Sequence, residues 1–311
     1  MTEGNQKLIL VTQRTALEEL IRRHNTFGQA EFVIRSSGGD FSDYRLEHET
    51  YHAALDHVRT ALEGFGRVQV LDRDLVSNFL FGKRDIVVAL GRDGLVANVL
   101  KYLPEGQPLL GVNPDPARWD GQLLPFLPEE LGKLMPDVIS GRRDTQSVTL
   151  ARAALNDGQV LYAVNDLFIG RRTHASARYG LRQGDRQERQ SSSGIIVSTG
   201  LGATGWLKSI LAGAAGIARS CGVSQPVGLD RPFHRGAPEL YYTVREPYPS
   251  AATGASMVFG RITPDAPLQI VSHMPEQGVI FSDGMEQDFL QFHSGAVATI
   301  SVAEQKGCLV V

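Results

Sequence analysis

The stretch Asp85–Gly121, DIVVALGRDGLVANVLKYLPEGQPLLGVNPDPARWDG, decides the fold of this chain. It begins with an apolar run rich in β-branched residues, Asp85 to Leu90, which is typical of a buried parallel strand. The run stops at Gly91-Arg92-Asp93-Gly94, and the apolar spacing of residues 95–103 then predicts a helix. A second apolar run, residues 108–112, predicts the next strand. Strand, glycine loop, helix and strand in this order indicate an α/β domain with a parallel sheet.

The glycine loop is the first candidate for a binding site. A loop between a strand and a helix aims backbone N–H groups and the positive helix end at an anion, so phosphate is the first ligand to consider. Asp93 adds a carboxylate that a simple phosphate cradle does not need. The second strand leads into Asn113-Pro114-Asp115, and ligands of open parallel sheets bind at the carboxyl edge where such strands end. The alternative is that this short glycine loop is only a tight turn between strand and helix and binds no ligand.

The composition describes a globular chain without a strong charge bias. The 311 residues favour about two domains, and 42% of them are hydrophobic. The net charge of −3 gives no reason to expect binding to nucleic acid or to a membrane surface. Two cysteines fit a reducing compartment, and no apolar run reaches the roughly 18 residues of a membrane span. We therefore expect a soluble cytoplasmic protein.

The periodicity changes along the chain, which predicts two kinds of domain. The first part alternates strands and helices, with a strand at Lys7–Val11, a helix at Thr15–His24, a flexible connection over residues 25–46 and a helix at Glu47–Glu63. A proline-rich passage, Pro114–Pro136, then indicates a domain crossing. From Ser147 onward the segments are short and extended apart from a helix near Thr204–Arg219, so this half is mainly β. The predicted boundaries are 1–125, 126–292 and 293–311, the last comprising C-terminal strands that could return to the first domain.

Two further motifs invite a chemical interpretation. The run His48-Glu49-Thr50-Tyr51-His52 matches H-E-x-x-H, in which two histidines bind zinc and the glutamate acts as a base. No third ligand is evident downstream, so a solvated polar helix face is the favoured interpretation and no zinc is expected. The run Ser198–Gly205 is a second glycine-rich loop that opens onto a helix, which predicts a second nucleotide-like ligand or, alternatively, a flexible connection.

Four motifs in order resemble those of the NAD kinases, especially the mitochondrial-type branch. They are Gly91-Arg92-Asp93-Gly94-Leu95 after a strand, Gly111-Val112-Asn113, Asn165-Asp166 within AVNDLFIG, and STGLGATGW from Ser198 to Trp206. The resemblance extends over nearly the whole chain and includes Asp283-Gly284. It implies a Rossmann-like three-layer α/β N-terminal domain and a mainly β C-terminal domain that binds NAD. It also implies transfer of the γ-phosphoryl group of ATP to the adenosine ribose 2′-hydroxyl of NAD, with Mg²⁺, in a homodimer or larger oligomer.

The resemblance also assigns roles to individual residues. Asp93 matches the family's catalytic base, which accepts the hydroxyl proton. The matching phosphate and ATP residues are Gly91, Arg92, Gly94 and Asn113, and the matching NAD residues are Asn165, Asp166, Thr204, Gly205 and Ser209. No side chain is assigned to the metal.

The chain departs from the family pattern at Arg92 and Leu95, which stand where a glycine and a threonine are usual. Arg92 would either block the approach of phosphate or bind it through its guanidinium fork. A kinase of another hydroxyl acceptor and a catalytically weak dinucleotide sensor are the alternatives that these departures leave open.

Overall fold

A computed structural model describes residues 7–223 and 233–311. Contacts divide the chain into two compact units, 1–146 with 308–311, and 147–307. The first unit contains β1 (Lys7–Thr12), α1 (Ala16–His24), α2 (Phe27–Ser36), α3 (Phe41–Glu63), β2 (Arg67–Asp72), β3 (Ile86–Leu90), α4 (Asp93–Leu100), β4 (Pro108–Val112) and α5 (Leu131–Ile139). Short 3₁₀ turns occupy Arg73–Asn78 and Pro128–Glu130.

The first unit is a three-layer α/β structure. Its strands are parallel in the order β2-β1-β3-β4. Alternate strand residues, such as Leu8 and Val88, pack in one core with Val58 of α3 and Met135 of α5. On the opposite face, Ile9, Val87 and Leu109 are also buried, and α4 contacts β3 and β4. Because successive strand side chains point to opposite faces, the sheet is covered on both sides.

The connection over residues 25–46 is helical, so the prediction of a flexible segment is wrong. Thr26 caps α2 by accepting a hydrogen bond from the backbone of Gln29, and Asp40 caps α3 by accepting one from Ser42. Ala30 and Phe41 are buried in a small core with Leu17 of α1. These two caps start helices on either side of the Ser-Gly run, which is reduced to a short turn.

The second unit is mainly β, and the predicted fold class is confirmed. It contains β5 (Thr145–Leu155), β6 (Val160–Ala163), β7 (Asp166–Arg171), β8 (Ala177–Gln183), β9 (Arg186–Ser192), β10 (Ile195–Ser198), α6 (Trp206–Ser220), β11 (Leu240–Val244), β12 (Phe259–Ile262), β13 (Leu268–Ser272), β14 (Gly278–Ser282), β15 (Met285–Gln291) and β16 (Val297–Val310). One antiparallel sheet has the order β12-β11-β10-β7-β14-β15. The strands β16-β13-β8-β9 form a second layer, and residues of both layers such as Ile169 and Tyr179 share one core.

The predicted domain boundaries need correction at both ends of the second unit. Residues 126–146 were assigned to the β domain, but Phe126 and Leu131 pack in the core of the first unit, together with the rest of α5. The proline-rich passage is therefore part of the α/β unit. Of residues 293–311, only Cys308–Val311 belong to the first unit, where Leu309 pairs in parallel with Leu109 of β4.

Candidate functional site

The carboxyl ends of β1, β2 and β3 meet at one edge of the parallel sheet. The segments that follow these strands line a cavity of about 440 Å³. Its lining includes Arg14 after β1, Arg73 after β2, and Arg92 and Gly94 after β3. The sequence analysis missed Arg14 and Arg73, although their positions directly after strands placed them at this edge.

Carboxylates compensate the cations of this edge. Arg14 Nη1 lies 2.7 Å from Asp74 Oδ2 and 3.1 Å from Glu19 Oε1, and Arg14 Nη2 lies 3.7 Å from Asp72 Oδ2. The hydrogen bonds that Arg14 donates to Asp74 and then to Glu19 raise the pKa of Arg14 well above its ordinary value. The arginine is thus cationic at any working pH, but a bound anion must compete with three carboxylates for it.

Asp93 begins α4, and its carboxylate binds a neighbouring loop. Oδ1 accepts a hydrogen bond from the backbone N–H of Leu123 at 2.8 Å, and Oδ2 accepts one from Gln122 at 3.3 Å. Each carboxylate oxygen has a second lone pair. The predicted base is therefore held in one orientation by loop 121–124 and retains the capacity to accept a proton.

Arg92 is engaged on two sides. Its Nη2 donates to Glu47 Oε1 at 2.6 Å, and the guanidinium lies over the Trp119 ring at 4.0 Å from the centroid. Stacking on an aromatic face leaves the edge of a guanidinium open, and five N–H donors are available in all. Arg92 therefore lines the cavity while part of its side chain is fixed.

Asn113 holds the loop that carries this tryptophan. It is buried, its Nδ2 donates to the carbonyl of Trp119 at 2.9 Å, and its Oδ1 accepts from the backbone of Asp115 at 3.1 Å. In the structure its side chain thus positions Trp119. Gly91 fits closely between neighbours, since a Cβ there would lie 2.9 Å from Leu95 Cδ2, whereas Gly94 faces open space.

In the second unit, Asp283 organises the predicted dinucleotide residues. Its Oδ1 accepts backbone hydrogen bonds from Val164 at 3.1 Å, Asn165 at 2.6 Å and Asp166 at 3.2 Å. Asp283 itself has a left-handed φ of 53° and donates its own N–H to the carbonyl of Asp166. The sequence analysis noted Asp283 within a matching motif but did not assign it to the site.

The glycine-rich loop is bound against the same corner. Thr199 donates its backbone N–H to the carbonyl of Asn165 at 2.9 Å and its hydroxyl to the carbonyl of Val164 at 2.5 Å. Gly202 lies so close that a Cβ there would be 2.7 Å from Asp166 Oδ1. Only glycine permits this approach, so loop and strand end form one site.

The other predicted residues lie where this loop enters α6. Thr204 is exposed, and its hydroxyl is directed at the carbonyl of Leu201 at 3.4 Å. Gly205 is the N-cap residue of α6, and Ser209 donates its hydroxyl back to the carbonyl of Gly205 at 3.3 Å. Their position leaves the N-terminal end of the helix open to a ligand.

Asp166 is an unusual carboxyl group. Burial raises its pKa to about 7, the nearby negative charge of Asp283 adds to this effect, and a hydrogen bond from the Ser198 hydroxyl opposes it. Its Oδ1 is buried, and no described residue forms a hydrogen bond with it. A ligand hydroxyl that reached this oxygen would satisfy an acceptor for which the described residues provide no donor.

A cavity in the second unit was not predicted. It measures about 320 Å³ and combines aromatic rings with cations. Phe168 and Trp206 stack with their ring planes 3° apart, and Arg172 lies over Phe289 at 4.2 Å from the ring centroid. Arg245 lies over Trp206 at 5.7 Å. Such a cavity suits a planar or anionic group, and the alternating outward residues of β7 and β14 could have indicated it.

No protein-family model matches the chain. Among curated proteins, a probable NADH kinase of Oryza sativa subsp. japonica is 23% identical over 223 residues, which cover 64% of this chain and 63% of that protein. The chain therefore spans less than two thirds of the length of this curated relative.

Two solved structures resemble this chain over nearly its whole length. An NAD kinase from Archaeoglobus fulgidus in complex with ATP has a TM-score of 0.55 at 18% identity and covers 98% of this chain and 94% of its own. Yeast NADH kinase complexed with NADH has a TM-score of 0.59 at 15% identity and covers 99% of this chain and 84% of its own. The chain thus has the two-unit fold of the NAD kinases.

The sequence relative points to the same family. With it, the resemblance to the NAD kinase family that the four motifs indicate is confirmed. Within residues 7–223 and 233–311, no helix combines the length and the apolar character needed to cross a bilayer.

We expect Asp283→Asn to destabilise the protein by about 1 to 3 kcal/mol, because the amide nitrogen would replace Oδ2, which accepts a hydrogen bond from the Val164 N–H at 3.0 Å, and would turn donor hydrogens toward that N–H. Urea denaturation of the variant and the wild type measures the difference. Asp265→Asn, at an exposed turn, is the matched control. A change below about 0.5 kcal/mol, as for an ordinary surface substitution, would contradict the role of Asp283.

The raised pKa of Asp166 predicts a pH dependence of stability. The folded protein keeps the Asp166 proton up to about pH 7, whereas the unfolded chain loses it near 3.8. This contribution to stability is therefore fully present below pH 3.8 and is lost as the pH rises to about 7. Asp166→Asn removes the titration, so the wild type should lose roughly 2 kcal/mol relative to the variant between pH 5 and 8. Denaturation of both proteins at the two pH values measures this change. An equal difference in unfolding free energy between the wild type and the variant at both pH values would contradict the prediction.

Proposed function

We propose that this chain is an NAD kinase-like phosphotransferase that transfers the γ-phosphoryl group of ATP to the adenosine ribose 2′-hydroxyl of NAD, giving NADP and ADP. The observation that carries the proposal is the corner formed by Val164, Asn165 and Asp166. Asp283 holds this corner against the glycine-rich loop 198–205, so that motifs far apart in sequence form one site. This arrangement presents an amide, a carboxyl group and a helix N-terminus to one ligand.

The dinucleotide binds in the second unit in this proposal. Asn165 is half-buried, and its amide can both donate to and accept from an adenine or ribose. Asp166 Oδ1, which has no hydrogen-bond partner within residues 7–223 and 233–311, accepts a hydrogen bond from a ribose hydroxyl. Thr204, Gly205 and Ser209 at the start of α6 bind the remaining polar groups of the substrate, including its phosphates.

The donor binds at the edge of the parallel sheet. The start of α4 provides backbone N–H groups, and Arg92 provides a cation that lines the cavity. The ribose oxygen attacks the γ-phosphorus, the bond to the β-phosphate oxygen breaks, and Asp93 accepts the hydroxyl proton. Hydrogen bonds from Leu123 and Gln122 orient the carboxylate for that step.

Magnesium would be held chiefly by the phosphates of ATP. Mg²⁺ prefers carboxylate and phosphate oxygens, but Asp72 and Asp74 at the sheet edge are paired with Arg14. Asp93 offers carboxylate lone pairs there, and no cationic partner of its side chain is found among the described residues. The ion supplies charge neutralisation of the phosphates when bound.

One observation favours a second candidate, a dinucleotide sensor with weak catalysis. Leu95 stands where the family usually has a threonine, and its side chain is completely buried. The chain therefore has an apolar buried side chain in place of the threonine hydroxyl. Arg92 is partly fixed by Glu47 and Trp119. Binding of NAD without turnover would identify the sensor.

The proposed reaction predicts ATP-dependent formation of NADP in a screen of donors against acceptors with Mg²⁺, read by the mass of the product. The screen also includes NADH and other compounds with a hydroxyl group as acceptors, and it includes inorganic polyphosphate as a donor. Asp93→Asn should lower kcat by roughly 10²- to 10⁴-fold, because it removes the proton acceptor at nearly unchanged volume.

Two measurements accompany this variant because Asp93 also binds the backbone of residues 122 and 123. NAD affinity by calorimetry should be nearly unchanged, and thermal unfolding should show a folded protein. Activity within a few-fold of the wild type would exclude Asp93 as the base. NAD binding without any product in the screen would favour the sensor.

We further expect Arg92→Gly to raise the KM for ATP by roughly 10- to 100-fold, since hydrogen bonds to a charged group contribute about 1.5 to 3 kcal/mol. Arg92→Lys keeps the charge but loses the fork, so its KM should lie between the two. Steady-state kinetics with ATP varied at saturating NAD gives these values. An increase in kcat/KM for ATP in Arg92→Gly would show that the side chain obstructs the donor.

A further inference from the structure

The two histidines of the H-E-x-x-H run have a third potential ligand nearby. His48 and His52 lie one turn apart on α3, with ring centroids 4.3 Å from each other. Glu18 of α1 lies beside them, and one ligand atom from each of the three residues can be chosen so that all lie within 4.8 Å of one another. The motif places a third ligand downstream in sequence, whereas this carboxylate comes from an earlier helix.

Thr15 orients the first histidine. His48 Nδ1 lies 2.9 Å from Thr15 Oγ1, and the hydroxyl hydrogen of Thr15 is directed at Glu18 Oε2 at 3.4 Å. The hydroxyl has only one hydrogen, so when it donates to Glu18 the hydrogen of the contact with His48 belongs to Nδ1 of the histidine. That tautomer leaves Nε2 with a lone pair for a metal ion. Metal-binding histidines generally donate their other N–H to such a partner.

The two oxygens of the Glu18 carboxylate bind different partners. Glu18 Oε2 accepts the backbone N–H of Thr15 at 2.8 Å, which completes the capping box of α1. Oε1 lies 3.0 Å from His52 Nε2. Two ligands at about 2.0 to 2.1 Å in a tetrahedral zinc site are separated by roughly 3.4 Å. A metal ion can therefore replace the shared proton with small movements of the side chains.

The surroundings permit access by an ion. The side chains of His52 and Glu18 are 41% and 32% exposed, and both line an open cavity of about 450 Å³. Arg14 and Arg22 also line it and would repel a cation. Both are paired with Glu19, at 3.1 Å and 3.2 Å, so their charges are compensated.

We propose that Glu18, His48 and His52 bind one divalent transition-metal ion of the zinc type, with water in the fourth position. Two imidazoles and one carboxylate favour zinc or cobalt over magnesium or calcium, which prefer oxygen ligands. The ion joins α1 to α3 and fixes Thr15, which also lines the cavity at the sheet edge. Its role is structural, because Glu49, the base of the hydrolase motif, is exposed and paired with Arg45 at 3.5 Å.

Calorimetric titration of the full chain with ZnCl₂ after chelation tests this site. A Cys221→Ser background removes the exposed thiol, which could bind zinc by itself. We expect one saturable site, and at least about 10-fold weaker binding in His52→Gln and in Glu18→Gln, as even loss of an outer partner costs 10- to 100-fold. Glutamine can still complete a capping box, so Glu18→Gln retains the start of α1.

The matched control is His57→Gln, which removes an exposed histidine from the same helix and should leave zinc affinity unchanged. Titration with CoCl₂ adds a spectroscopic readout, since tetrahedral cobalt absorbs visible light strongly. That absorption should appear in the wild type and disappear in His48→Gln. Absence of a saturable site in the wild type, equal loss in His57→Gln, or unchanged binding in His52→Gln would overturn the proposal. None of these results depends on phosphotransfer.

Discussion

The second unit depends on one carboxylate that accepts hydrogen bonds from successive backbone N–H groups. Asp283 binds the N–H groups of residues 164–166 at the point where β6 turns into β7. Without this acceptor, donors at a half-buried corner would lose their hydration without compensation. Because the corner is fixed, the carbonyls of Val164 and Asn165 are directed at Thr199. The glycine-rich loop therefore takes its position from a residue over 80 positions later in the chain.

The first unit uses the same kind of interaction at its sheet edge. Asp93 accepts two backbone N–H groups of loop 121–124. Asn113 fixes the start of the same connection and thereby places Trp119 under Arg92. The residues that the family resemblance assigns to chemistry thus also hold the loops around them. Loss of activity in a variant at such a position must therefore be separated from loss of local structure.

The parts of the fold that could be predicted are those with local periodicity. The run of β3, the glycine loop and α4 follows from consecutive residues, and the alternation of strands and turns after Ser147 follows in the same way. The helices of residues 25–46 were missed because each begins at a single capping residue, Thr26 or Asp40, and because Asp40 stands beside the Ser-Gly run. The boundary near residue 125 was misplaced because packing of α5 against α3 is a tertiary contact. Asp283 and Glu18 bind residues that are distant in sequence, and no local sequence pattern predicts such contacts.

The state of Asp166 connects binding to protonation. Its buried Oδ1 has no hydrogen-bond partner among the described residues, and burial keeps a proton on the group up to about pH 7. A ligand hydroxyl that donates to this carboxylate favours its charged form and so lowers its pKa. By linkage, a ligand that binds in this way releases a proton near neutral pH. The Asp166 carboxylate is costly to desolvate and lies beside the negative charge of Asp283. Recognition of a hydroxyl thus explains its presence more readily than stability of the fold does.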